Sequence, residues 1–267
     1  MINFPTCKIN LGLHILRRRN DGYHELETAM LELPFNDVLE LIESEESTFT
    51  TSGLEIPGLG NLVLDAEAEF RIHKSIPTLA FHLHKLIPMG GGLGGGSSDA
   101  AFALKLMRDR YAPEIENESL KEMASKIGSD CAFFIDGGLQ FATGRGEVLT
   151  PLNIDFKNLF VVLVNLGIHV STKDAYEGVV PNNDRTSLKE ILEKPIRMWK
   201  DSLVNDFEKS AFAKYAELED IKNDLYNHGA IYASMTGSGS TIFGIFESEV
   251  ESIQWSHKVM YEKYLKL

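Results

Sequence analysis

Pro88-Met89-Gly90-Gly91-Gly92-Leu93-Gly94-Gly95-Gly96-Ser97-Ser98-Asp99 sets six glycines between two stretches of different periodicity. Before it, Leu79-Ala80-Phe81-His82-Leu83-His84 places apolar side chains at every second position, as a half-buried strand does. After it, Ala101, Leu104 and Met107 recur at helical spacing. The glycines therefore join a strand to a helix. Residues without Cβ adopt positive φ and turn backbone N–H groups inward, while Ser97 or Ser98 is expected to cap the helix, whose N-terminus favours an anion. The stretch reads as a cradle for a polyphosphate.

Its neighbours separate the kinds of glycine loop. A P-loop needs a lysine after its last glycine, and Ser97 stands there. Gly90, Gly92 and Gly95 satisfy the dinucleotide hexapeptide, but the turn-like Tyr111-Ala112-Pro113-Glu114-Ile115-Glu116-Asn117 follows where a second parallel strand is required. A flexible linker would lack the flanking strand and helix. The order Pro-x-Gly-x-Gly-Leu-Gly-x-x-Ser-Ser from Pro88 to Ser98 resembles the second motif of the GHMP kinase superfamily.

The chain has 267 residues, enough for one large or two small domains, and a hydrophobic fraction of 43% that is ordinary for a globular protein. A formal charge of −13 gives no basic surface for nucleic acid. A local nest of N–H groups and a few cations still suffices to bind an anionic nucleotide. There is no apolar run of about eighteen residues and no secretory signal, so the expectation is a soluble, cytoplasmic protein with no membrane partner. Two cysteines, Cys7 and Cys131, fit a reducing compartment.

Thr6-Cys7-Lys8-Ile9-Asn10-Leu11-Gly12-Leu13 alternates as a surface strand, on which Lys8 alone reads as a solvated edge charge. Asn20-Asp21-Gly22 is turn chemistry, and Tyr23-His24 beside it offers a face for stacking a planar base and a ring that hydrogen-bonds. Strands are expected around Val38–Ile42 and Ser47–Thr50, a helix from near Asn61, and another over Leu120–Ile127 stopped by Gly128. Asp130, entering the apolar run Cys131-Ala132-Phe133-Phe134, reads by itself as a helix N-cap. Pro151 to Lys157 marks the expected boundary between domains 1–154 and 155–267, before the strand Leu159–Val164. A helical stretch runs from Asn205 towards Gly229, and two strands, Ala230–Met235 and Thr241–Phe246, flank Thr236-Gly237-Ser238-Gly239-Ser240. His82 and His84 share a strand face, with no third metal ligand nearby.

Lys8-Ile9-Asn10-Leu11 with Asp21-Gly22-Tyr23-His24-x-Leu26-x-Thr28 resembles the branch of the superfamily that serves non-mevalonate isoprenoid synthesis. That resemblance implies an α+β, two-domain GHMP kinase fold. Its N-terminal domain would be ribosomal protein S5 domain 2-like and its C-terminal domain ferredoxin-like. The implied reaction moves the γ-phosphoryl of ATP, with Mg2+, to the 2-hydroxyl of a cytidine diphosphate-linked methylerythritol, in a monomer or homodimer. Implied ATP-binding residues are Pro88, Met89, Gly90, Gly91, Gly92, Leu93, Gly94, Gly95, Gly96, Ser97 and Ser98, together with Asn61 and Lys85 near the adenine. Gly237, Ser238 and Gly239, which resemble the third motif, complete that set. For substrate it implies Asn10, with Tyr23 and His24 at the cytosine, Tyr176 over its other face, and Arg145 at a phosphate. On their own residues, Asn61 reads equally as a helix cap, Lys85 as an exposed charge, Arg145 as a loop-tip charge and Tyr176 as a core aromatic. The metal ligands are not identified.

Lys8 and Asp130 are the implied catalytic pair. The usual family pattern after the aspartate is Val-Pro, and Cys131-Ala132 replaces it here. An alcohol has a pKa near that of water, about 16, and an aspartate about 4, so the carboxylate cannot remove the proton before bond making starts. Asp130 is assigned as aligner and late proton acceptor, with Lys8 as its partner. Cys7 and Cys131 should then turn away and behave as small buried apolar groups. Two rivals stand beside this reading: another GHMP small-molecule kinase of mevalonate or homoserine type, and a nucleotide-binding regulator without turnover.

Overall fold

In the computed structural model, residues 1–56 and 60–267 are described. The chain opens with β1 (Ile2–Asn3), then a long hairpin of β2 (Thr6–Arg18) and β3 (His24–Asn36), then β4 (Val38–Glu43) and β5 (Thr48–Gly53). Helix α1 (Leu62–His73), strand β6 (Leu79–Lys85), α2 (Gly95–Tyr111), α3 (Asn117–Ile127) and the short α4 (Phe133–Asp136) follow. Next come β7 (Leu139–Thr143), β8 (Val148–Pro151), β9 (Phe160–Asn165), α5 (Thr172–Glu177) and α6 (Leu188–Leu192). The chain closes with α7 (Glu208–Lys214), α8 (Ala216–Asn227), β10 (Tyr232–Met235), β11 (Ile242–Phe246) and β12 (Tyr261–Lys266).

These elements form two compact units that interleave along the chain. The first comprises 1–8, 35–89 and 94–138, and the second 9–34, 90–93 and 139–267. The expected boundary at residue 154 falls inside the second unit, between β8 and β9.

In the first unit a four-stranded sheet runs β1-β4-β6-β5, with β4 antiparallel and β5 parallel to β6. Strand β6 alternates buried and half-buried positions, so Leu79, Phe81 and Leu83 face inward as its period-2 pattern requires. Ala100, Ala101 and Ala103 let α2 be buried over most of its surface, and α1, α3 and α4 pack against it. Helix α3 starts three residues earlier than expected and stops at Gly128, as its sequence indicates.

The second unit holds two antiparallel-paired sheets, β7 joining β3 and β8 in one, and β10-β11-β9-β12 forming the other. A core of Leu13, Ile15, Val162, Val164, Leu218, Ile221 and Phe246 gathers α8 and these strands. The helical stretch from Asn205 is two helices, because Tyr215 leaves the helical region with φ −138° and ψ 82°. Strand β12 was not expected, since Tyr-Glu-Lys-Tyr-Leu-Lys buries only Leu265 and shows little apolar alternation.

Strand β2 corrects the reading of a surface strand. Residues 7–15 are buried throughout, on both faces. Lys8 is 3% exposed and is no solvated edge charge.

Candidate active site

Within the first unit, Lys8 Nζ lies 3.2 Å from Asp130 Oδ2, with the lysine side chain 4% exposed and the aspartate 36%. The lysine stem packs under the glycine loop, where a Cβ on Gly94 would come within 3.1 Å of Lys8 Cε and 3.0 Å of the Phe134 ring. Asp130 does not cap α4, whose N-cap is Ala132. The Cys131 amide donates to the carbonyl of Gly128, closing the turn that presents Asp130 although the proline of the usual pattern is missing. A half-exposed carboxylate paired with a buried ammonium is suited to receive a proton from a bound hydroxyl while the cation holds the negative charge close by.

Helix α2 begins at Gly95 with Gly94 as N-cap at φ 71°, and no side chain caps it. Ser97 and Ser98 therefore lie inside the first turn, a correction to the cap expected of them; the Ser98 amide donates to the Gly94 carbonyl. An uncapped N-terminus with no acidic residue in its first turn suits a bound phosphate, because its N–H groups and dipole carry partial positive charge. Ser97 instead hydrogen-bonds the Cys131 thiol, which burial, its largest influence, pushes up to about 12. Both cysteines are fully buried, as expected of apolar residues.

Two of the residues assigned to the adenine are placed differently from one another. Asn61 caps α1, its side-chain oxygen accepting from the Val63 amide at 2.8 Å, so the ordinary reading of that residue holds. Lys85 is neither an exposed charge nor open to a ligand. Its side chain is 0% exposed and its ammonium is held by Asp37 and by Asp99, the latter at 2.6 Å. Pro88 is half-buried and Met89 exposed at the loop entrance, and a Cβ on Gly96 would make ordinary contact with Leu62 at 3.7 Å and Met89 at 3.8 Å.

In the second unit, residues 90–93 of the loop are latched to the segment between β10 and β11. The Thr241 amide donates to the Gly91 carbonyl at 3.2 Å. Thr236 Oγ1 accepts from the Asn10 amide at 3.0 Å and lies 3.2 Å from both the Asn10 Oδ1 and the Gly92 carbonyl, either of which takes its proton. Gly92, at φ 80°, has no room for a Cβ beside the Thr236 carbonyl, and Gly237, at φ 56°, backs onto the Gly92 Cα at 3.3 Å from a built Cβ. The side chain of Asn205 donates to the carbonyls of Met235 and Gly237 at 2.7 and 2.9 Å. Ser238 faces Thr172 at 3.4 Å, and Gly239 has φ 92°. Asn10 is thus a buried link, 4% exposed, with its side-chain Nδ2 donating to Thr28 Oγ1 at 3.0 Å.

The same unit gathers the expected base-binding residues. Asn20-Asp21-Gly22 forms the tip of the β2–β3 hairpin, with the Tyr23 amide donating to Asp21 Oδ1 at 3.1 Å. Tyr23 is 56% exposed, and the Arg145 guanidinium lies 4.9 Å from its ring centroid. Arg145 also pairs with Glu147 at 3.3 Å. His24 and Tyr176 stack with centroids 4.9 Å apart and an interplanar angle of 21°, and Phe207 meets Tyr176 edge-on at 4.8 Å. Burial first, and the charge of Arg18 second, keep His24 below its ordinary pKa, so its neutral ring offers one donor and one acceptor. Tyr176 is half-buried on α5 and is partly the core aromatic and partly an open ring.

Asp37 and Asp99 were not singled out by the sequence. Asp99 follows the motif directly, and an acid there beside a lysine just before the loop is the only local signal. Among the described residues no three His, Cys, Asp or Glu gather as metal ligands, and no helix is long and apolar enough to cross a membrane. His82 and His84 instead share Ser52 at 2.9 Å each.

Two family models match the chain, the GHMP kinases N terminal domain over residues 61–138 and the GHMP kinases C terminal domain over 182–262. A 4-diphosphocytidyl-2-C-methyl-D-erythritol kinase of Cytophaga hutchinsonii is 46% identical over 94% of each chain. One from Clostridium botulinum is 34% identical, covering 99% of this chain and 97% of its own. A crystal structure of 4-(cytidine 5'-diphospho)-2C-methyl-D-erythritol kinase matches with a TM-score of 0.78 and 32% identity, over 91% of this chain and 89% of that one.

Proposed function

The chain belongs to the GHMP kinases, in their 4-diphosphocytidyl-2-C-methyl-D-erythritol kinase family, and we propose that it phosphorylates the 2-hydroxyl of that cytidine-linked alcohol with ATP. It is an ATP-dependent small-molecule kinase of isoprenoid biosynthesis. The ion pair of Lys8 and Asp130 beside the glycine loop is the observation that carries the chemical step.

Phosphoryl transfer needs positioning and charge neutralisation more than covalent help, because its transition state is loose and its charge is spread over the equatorial oxygens. The N-terminus of α2 receives the triphosphate. Lys8 stabilises charge on the attacking oxygen and orients Asp130, which aligns the hydroxyl and takes its proton once the new P–O bond is forming. Tyr23 supplies a stacking face for the cytosine, His24 hydrogen-bonds its edge, and Tyr176 closes the same recognition surface; Arg145 steadies the Tyr23 ring and offers a cation to phosphate.

Magnesium fits this donor set as an ion carried on the triphosphate, since the described residues offer no carboxylate cage. Its chemistry there is neutralisation of phosphate charge.

The test is ADP release across a panel of alcohols. Turnover with the cytidine-linked substrate, abolished in Asp130→Asn, supports the assignment; faster turnover of mevalonate or homoserine contradicts it.

A further inference from the structure

Beneath the glycine loop lies a charged cluster that phosphoryl transfer leaves unused. Lys85 ends β6, Asp37 joins β3 to β4, and Asp99 lies in the second turn of α2. Lys85 and Asp37 are 0% exposed and Asp99 2%. One Asp37 oxygen accepts from the backbone amides of Leu86 and Ile87 at 2.5 and 2.9 Å, and its other oxygen accepts from Lys85. Lys85 also donates to Asp99 Oδ2 at 2.6 Å. The remaining Asp99 oxygen, Oδ1, is buried with no hydrogen-bond partner.

These bonds connect the two ends of the loop. Asp37 fixes the backbone where the chain leaves β6, and Lys85 ties that point to α2 just beyond Ser98. The ammonium also fills the space below Gly95, where a Cβ would stand 3.0 Å from Nζ. A buried ionic cluster of this kind is costly to build and is weak evidence for stability alone, whereas a role in fixing one geometry explains its cost. A displacement of about 1 Å in groups that hold a reacting phosphate costs on the order of 100-fold in rate.

We propose that Asp37, Lys85 and Asp99 are positioning residues for the phosphoryl donor: a buried ionic clamp that holds the entry and exit of the phosphate loop at a fixed separation. The clamp rests on the reading of the loop as the ATP site. Its effect is expected on the nucleotide side of the reaction, because what the three groups hold is the backbone at the two ends of the phosphate loop.

The experiment measures binding of a non-hydrolysable ATP analogue by calorimetry, with KM for ATP, KM for the alcohol and kcat determined in parallel. Asp99→Ala, which cuts the Lys85 link, is expected to weaken analogue binding about tenfold and raise KM for ATP alike, with KM for the alcohol unchanged. Asp99→Asn, whose carboxamide oxygen still accepts from Lys85, is expected to stay within about threefold of the parent. Should Asp99→Ala not fold, Asp99→Leu, which fills the space of the carboxylate and leaves Lys85 paired with Asp37, is expected to show the same nucleotide-specific loss. A folded link-breaking variant with parental analogue affinity and KM for ATP overturns the clamp. Failure of the parent itself to bind the analogue overturns the ATP site instead.

Discussion

Lys8 Nζ and Asp130 Oδ2 are 3.2 Å apart, the lysine almost wholly buried and the aspartate open to solvent on one side. The asymmetry leaves the carboxylate reachable by an alcohol. Lys8→Met and Asp130→Asn should each lower kcat by about 100- to 10,000-fold, the range for removal of a positioned acid–base group, with unfolding midpoints close to the parent for Asp130→Asn. Steady-state kinetics and thermal melts check this; a loss of less than threefold from Asp130→Asn excludes it as proton acceptor.

Tyr23, exposed on the hairpin beside Arg145, should contribute stacking to the cytosine. Tyr23→Ala is expected to raise KM for the cytidine-linked alcohol by about 5- to 150-fold, matching roughly 1–3 kcal/mol for a base on an aromatic ring, while KM for ATP stays put. Tyr23→Phe should behave as the parent. Equal rises in both KM values would argue for general loosening instead.

Cys7 and Cys131 are both fully buried, and burial raises the Cys131 thiol to about 12. Thiolate is the reactive form, so a thiol reagent at pH 8 should label neither residue in the folded protein on the timescale of minutes, and both after denaturation. Rapid labelling of the native protein that substrate blocks would place a cysteine in the site.

Asp99 gives the chain a pH-dependent stability. Burial, its largest influence, and the charge of Asp37 outweigh the attraction of Lys85 and push Asp99 up from 3.8 to about 7. The folded state therefore keeps a proton that the unfolded chain loses near pH 4, and the stability difference falls as pH rises from about 4 to about 7, then levels off. Urea midpoints of the parent and Asp99→Asn at pH 5 and pH 8 should show the parent losing ground to the variant at the higher pH. A difference that does not change with pH contradicts the shift.

Gly92 carries φ 80° directly against the Thr236 carbonyl. Gly92→Ala should destabilise the protein by about 1–3 kcal/mol, through both the disfavoured backbone region and the collision. A thermal melt unchanged from the parent would show that the two glycine segments are not held together as described.

Local pattern carried much of the fold. The alternation in Leu79–His84, the helical spacing after Gly96 and the turn at Asn20-Asp21-Gly22 all emerged as β6, α2 and the β2–β3 tip. What escaped depends on partners distant in the chain. Lys85 looks like an exposed charge until Asp37, 48 residues away, is seen to meet it. Nothing in the chain near Asn10 shows that Thr236, 226 residues on, hydrogen-bonds its side chain. The burial of β2 at every position from Cys7 to Ile15 is not revealed by the alternation in the strand itself. The uncapped start of α2 was missed for a different reason: a serine two residues inside a helix has the same composition signature as one at its cap.

The most direct measurement is the initial rate of ADP release with ATP and each candidate alcohol, followed by phosphorus NMR of the product. The account predicts turnover of the cytidine diphosphate-linked methylerythritol above all other acceptors, a new phosphomonoester on the 2-hydroxyl, and loss of both with Asp130→Asn. A higher kcat/KM with mevalonate or homoserine, or tight ATP binding with no phosphoester formed on any acceptor, would contradict it.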